Sequence, residues 1–200
     1  QPLWRDAAID DLLTAIDGLG ADGLTPADYR FPQLDPLLRA RAEGGLSPAE
    51  AAELDLLLTE AFARAVYNLY FGKVDAERLD PNINFVRSMG DEDPAPNLRQ
   101  AIERGKIAAT FDEARPKNVR HQWLKDALAR YRQYQARGGW APVPQGKTLK
   151  PGERDPRVRA LRARLAVTGE LDDGEAAAEA GQEVGYALMT LELEFGPGEI

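Results

Sequence analysis

The apolar positions along this chain recur at helical spacing and almost nowhere alternate, so the pattern predicts helices and no strands. Ile9, Leu12, Leu13 and Ile16 put one stripe on a first helix, with Gly18 and Gly20 as its stop. Thr25-Pro26-Ala27-Asp28 reads as a helix start, with a hydroxyl, a proline in first position and an acid in the first turn. Tyr29 and Phe31 follow as packing groups, and Asp35-Pro36-Leu37-Leu38 opens a short helix that Gly44-Gly45 closes. The strongest element comes next. Ser47-Pro48-Ala49-Glu50 is a capping box. Behind it Leu54, Leu57, Leu58, Ala61, Phe62, Ala65, Val66, Leu69 and Tyr70 hold helical spacing for about five turns. Gly72 is the expected left-handed stop. The stripe is wide, so this helix is expected to pack against more than one neighbour.

Turn signals crowd residues 73–96, ending in an acidic stretch at Asp91, Glu92 and Asp93. Leu98 and Ile102 begin another helix, and Ile107 and Phe111 carry the pattern beyond Gly105. Trp123, Leu124, Ala127, Leu128 and Tyr131 define a last strong helix running to about Arg137. Residues 138–146 are then dense in glycine and proline and read as an extended linker. Asp155-Pro156 starts a further helix, with Val158, Leu161 and Leu165 on its buried face and an end near Gly169. Tyr186, Leu188, Leu191 and Phe195 suggest one more. The expected organisation is all-α: a bundle-like domain over 1–137, a linker over 138–150, and a small helical module over 151–200. About fifty residues is little for an independent core.

Composition narrows the functions. The formal net charge of −8 repels phosphate backbones, which disfavours nucleic acid as a partner. With no cysteine and one histidine, thiolate chemistry is excluded and any triad or zinc site must be built on His121 alone. His121 reads as a solvated or capping residue, since no Ser or Cys motif accompanies it. No run approaches the ~18 apolar residues of a bilayer span. No motif calls for a metal or cofactor: Asp91, Glu92 and Asp93 lack the ligand periodicity of a calcium loop. Glu50, Glu53, Asp55 and Glu60 are explained by capping and solubility better than as the paired acids of glycoside hydrolysis. Two features invite a binding role. Arg154, Arg157, Arg159, Arg162 and Arg164 make one segment basic, and an arginine fork suits carboxylates. Trp140, in the glycine- and proline-rich linker, could stack on a sugar, though such a Trp more often pins a linker to the adjacent domain.

Several stretches, taken in order, resemble the non-catalytic part of the large L,D-transpeptidases of Gram-negative bacteria. They are Gly23 to Tyr29, Asn68 to Asp75, Trp123 to Arg132, Gly139-Trp140-Ala141-Pro142-Val143-Pro144, and Leu149 to Leu165. The resemblance implies a helical scaffold domain and a partial peptidoglycan-binding-like module that position a catalytic domain lying outside this chain. It implies a periplasmic setting, with signal or anchor also outside the chain. It further implies stem peptides or glycan of peptidoglycan as partners, with Arg157, Arg162 and Trp140 as the contact residues. The family's Ser-His-Gly-Cys type motif is absent, so no catalytic residue is assigned. The last thirty residues also lack the module's Phe-Gln helix and its Gly-Leu and Asp-Gly turns. Two alternatives stay open: a helical protein-interaction module of the envelope without wall binding, and an accessory part of a peptidoglycan hydrolase.

Overall fold

A computed structural model describes residues 2–74, 78, 93–150, 152 and 154–171. The helix expected around Tyr186 to Phe195 and the acidic residues Asp91 and Glu92 lie outside the described residues. Those described form seven α-helices and no sheet. They are α1 Asp6–Gly18, α2 Leu34–Ala42, α3 Pro48–Phe71, α4 Ala95–Glu103, α5 Ile107–Ala114, α6 Val119–Ala136 and α7 Arg157–Thr168. Two single 3-10 turns, Leu19–Asp22 and Pro26–Tyr29, connect α1 to α2. The chain divides into two compact units, Gln1–Leu128 and Ala129–Ile200, with the division inside α6.

The first unit is built around α3. The Ser47 hydroxyl accepts from the Glu50 amide, and the Glu50 carboxylate accepts from the Ser47 amide, closing the capping box reciprocally. These bonds hold the Glu50 carboxyl below its ordinary range. Leu54, Leu58, Ala61, Phe62, Ala65 and Leu69 form its buried stripe. That stripe meets α1, α2, α5 and the 26–29 turn, as its width requires. Phe62 stacks on Phe111 of α5 with ring centres 5.8 Å apart, and Trp4 meets Phe62 edge-on at 6.0 Å.

Polar groups pin what the core alone would leave loose. The Asp55 carboxylate of α3 accepts from the amides of Leu3 and Trp4, at 2.6 and 3.4 Å. The Trp4 indole N–H donates to the Thr59 hydroxyl at 3.0 Å, which satisfies the one polar atom of a buried ring. The Tyr29 hydroxyl accepts from the Asn68 amide at 2.9 Å. Asp55 is therefore a backbone acceptor and not a solubilising charge.

Three local details differ from the sequence expectation. α1 ends at Gly18 as expected, but Gly20 is not a stop: it lies inside the 19–22 turn, which closes at Gly23, whose φ of 80° is the left-handed position glycine accepts without strain. Gly72 has a φ of 91° but a ψ of 156°, so it leaves α3 in an extended conformation open essentially to glycine alone. The third detail concerns α6. Its apolar residues do make a helix, but Val119, Trp123 and Leu124 point outward at 59, 63 and 69% exposure, and α6 fully buries no side chain.

In the second unit, residues 138–150 carry no helix or strand, and α7 follows. Val158 and Leu165 form a small core with Leu149, Leu161 and Leu171 against it. Asp155 sits one residue further from α7 than expected, with Pro156 at the cap position, and its Oδ1 accepts from the Arg157 amide at 2.8 Å.

Candidate functional site

The residues expected to contact a ligand lie in the second unit. Arg157 opens α7, and its fork is already engaged. Nε and Nη2 donate to the two Asp155 carboxylate oxygens at 3.0 and 2.8 Å, and Nη2 also donates to the Lys147 carbonyl at 2.6 Å. This bidentate pair lowers the Asp155 pKa and raises that of Arg157. The guanidinium also lies so close to Gly146 that a side chain there would collide with it. Arg157 thus ties the linker to α7. It also lines a shallow pocket of about 420 Å³ with Pro144, Gln145 and Ala160, in which the Asp155 carboxylate offsets its charge.

Arg162 is half-buried on α7. At 3.6 residues per turn it sits about 140° around the helix from Arg157, so the two present no common face. Trp140 is half-buried and closes an aromatic group. Tyr131 meets it edge-on at 6.2 Å and meets Tyr134 at 5.7 Å, while the Arg164 guanidinium lies 5.7 Å from the Trp140 ring centre. The Tyr134 hydroxyl donates to the Thr168 carbonyl at 3.1 Å. Trp140 therefore pairs with Arg164, and the linker is held at two points, one through the Trp140 ring and one through the Lys147 carbonyl.

The first unit holds a polar centre that the sequence does not announce. Asp22 ends the 19–22 turn with its side chain only 2% exposed. Its Oδ2 accepts from Arg115 Nε at 2.8 Å and its Oδ1 from Lys125 Nζ at 2.7 Å. Burial by itself opposes ionisation of Asp22, but the hydrogen bonds and positive charges of Lys125 and Arg115 outweigh it and hold the carboxyl below its usual range. His121 Nε2 stands 3.8 Å from Oδ1, buried and without a hydrogen-bond partner. His121 is therefore partly buried, with its side chain 24% exposed, and is not the cap; the capping contact belongs to Asn118, whose side-chain oxygen accepts from the His121 amide at 2.9 Å. An open, mostly apolar groove of about 460 Å³ runs between α3 and α4 over Ala63, Leu98 and Ile102, with Thr59 and Arg99 at its edge.

Against this geometry, the family model of the Scaffold domain matches residues 1–128. The chain belongs to the Scaffold domain family. The match ends where the first compact unit ends, within α6. No curated protein and no solved structure gave a match. Membership of the Scaffold domain family fits a non-catalytic scaffold role. Among the described residues, three organised polar groups make internal contacts: Asp55 with the amides of Leu3 and Trp4, Asp22 with two cations, and Arg157 with Asp155 and Lys147. The resolved carboxylate shifts, at Asp22, Glu50 and Asp155, run downward, the reverse of what a general acid needs. No described helix of this Scaffold domain protein is long and apolar enough to cross a membrane.

Asp22, Arg115 and Lys125 escape sequence reading for a simple reason. Asp22 sits in Gly20-Ala21-Asp22-Gly23, where an aspartate is an ordinary turn residue, and its partners are 93 and 103 positions away. Arg164 gave one usable signal, its heptad spacing from Arg157.

Proposed function

We propose that this chain is the non-catalytic scaffold part of a peptidoglycan L,D-transpeptidase, and that it positions a catalytic domain on the cell wall of the periplasm. The observation that carries this reading is the Scaffold domain match over residues 1–128, joined to a linker and Arg-rich helix of the kind seen in those enzymes. The chain contains no cysteine, so the cross-linking chemistry belongs to another domain. Stem peptides offer carboxylates and the glycan offers sugar faces. Arg162 is suited to the first and Trp140 to the second. The test is co-sedimentation of the purified chain with insoluble sacculi, beside a Trp140→Ala/Arg162→Ala variant. Retention of the chain and its loss in the variant are the expected results. Equal retention of both proteins removes these two residues from the reading, and retention of neither removes wall binding.

A second reading is favoured by one observation. In the first unit α6 leaves Val119, Trp123 and Leu124 exposed, which suits an interaction module docking to another envelope protein. In that case sacculi retain neither protein. An accessory role in a hydrolase has less behind it, since the three carboxylates with a resolved shift among the described residues, Asp22, Glu50 and Asp155, are all lowered.

A further inference from the structure

α6 is attached to the first unit in an unusual way. Every other described α-helix of that unit buries at least two side chains in the core, whereas α6 fully buries none. What it turns inward are His121, Lys125 and Leu128, at i, i+4 and i+7 on one face. Leu128 touches the backbone at Gly23, where a Cβ would meet its Cδ2 at 3.6 Å. Lys125 donates to Asp22, and His121 stands beside the same oxygen. The apolar residues that anchor the other helices are here on the outside.

The groups around Asp22 make this attachment ionic. From the segment after α5, Arg115 donates to Asp22 and also to the Asp112 carboxylate, while Lys117 donates to the Asp112 carbonyl. From α6 come Lys125 and His121. Asp22 is thus the one carboxylate that Arg115 and Lys125 share, and through it the 19–22 turn holds both α6 and the segment leading into it. A buried carboxylate stays ionised only while such partners remain, and each partner loses its main reason to stay when the carboxylate is removed. The hydrophobic core of α1 to α5 contains no residue of α6 and none of these charged groups.

We infer that Asp22 is a latch: it holds the first half of α6 on the scaffold, and α6 can be released while the α1–α5 core stays folded. α6 continues past Leu128 into the second unit, so the latch holds the segment through which that unit is tethered. Local opening of this kind draws on the least-buried elements of a fold.

The experiment is amide hydrogen exchange on the full chain and on Asp22→Asn and Lys125→Gln, comparing residues 119–128 of α6 with residues 54–69 of α3. The latch predicts exchange in 119–128 at least tenfold faster in both variants, with 54–69 unchanged within about twofold. Lys125→Gln removes only the α6 end of the contact, so it carries the test if Asp22→Asn does not fold. Unchanged exchange in 119–128 overturns the inference. A parallel rise in both segments also overturns it, because Asp22 would then support the whole fold and not one arm.

Discussion

Phe62→Ala is the perturbation that weighs the first unit's core. Phe62 is fully buried at the middle of α3, stacked on Phe111 and met edge-on by Trp4. Truncating a buried Phe costs about 3–5 kcal/mol, and that range includes the cavity left behind. Three rings meet here on three different segments, which cannot collapse into the space without moving α1 or α5, so a value near 4 kcal/mol is expected. With an unfolding entropy of about 2.1 cal/mol/K per residue, a domain of this size loses about 15 °C in Tm. Urea unfolding followed by circular dichroism at 222 nm gives the free energy, with Leu56→Ala as the control. Leu56 is on the same helix at 72% exposure and is expected to change stability by less than about 0.5 kcal/mol. A Phe62→Ala cost below about 1.5 kcal/mol, or one equal to that of Leu56→Ala, would refute the placement of these rings at the centre of the core.

Other outcomes follow from single contacts. Ser47→Ala removes the cap of α3 and is expected to cost about 1 kcal/mol, read by the same unfolding assay. Tyr29→Phe strands the Asn68 amide at a partly buried site and is expected to cost about 0.5–1.5 kcal/mol, with no change in helix content. The Asp22 carboxyl has its pKa lowered in the folded chain, so its stabilisation is fully present above the unfolded-state value near 4 and fades as pH falls through the folded-state value. The stability difference between the wild type and Asp22→Asn is therefore expected to be largest at neutral pH and to shrink from about pH 4 downward, and a difference that grows on acidification would contradict the assignment. Gly146→Ala places a methyl against the Arg157 guanidinium and is expected to break its bond to the Lys147 carbonyl, read as a shifted and faster-exchanging Arg157 Nε–H resonance in NMR.

Much of the fold is legible in the sequence because it is local. The α3 capping box, the stripe from Leu54 to Leu69 and the Pro26 turn are set by neighbours three and four residues apart, and they form where the spacing puts them. The misjudged points are those where local rules are silent about direction or distance. The spacing of Trp123, Leu124 and Tyr131 specifies a helix but not which face meets the core, and Lys125, paired with Asp22, took the inner side together with His121. Nothing near Gly18 shows that the chain tightens for one more turn before Gly23 ends it. Of the candidate contact residues, Arg157 stands out in the sequence for the chemistry of its fork. That same chemistry is satisfied by Asp155 two positions away, a pairing visible in the sequence once the carboxylate is read as a partner and not only as a helix start. Arg164 and Trp140 come together through packing across twenty-four positions, which no local signal encodes.

The central claim is a scaffold that meets the wall without changing it. The direct measurement is to incubate the purified chain with sacculi, separate bound from free protein, and analyse the muropeptides released from the bound fraction by liquid chromatography and mass spectrometry. The account predicts protein in the sacculus pellet and a muropeptide profile identical to that of untreated sacculi. Protein left wholly in the supernatant would contradict wall contact, and new 3→3 cross-links or cleaved strands would contradict the non-catalytic role.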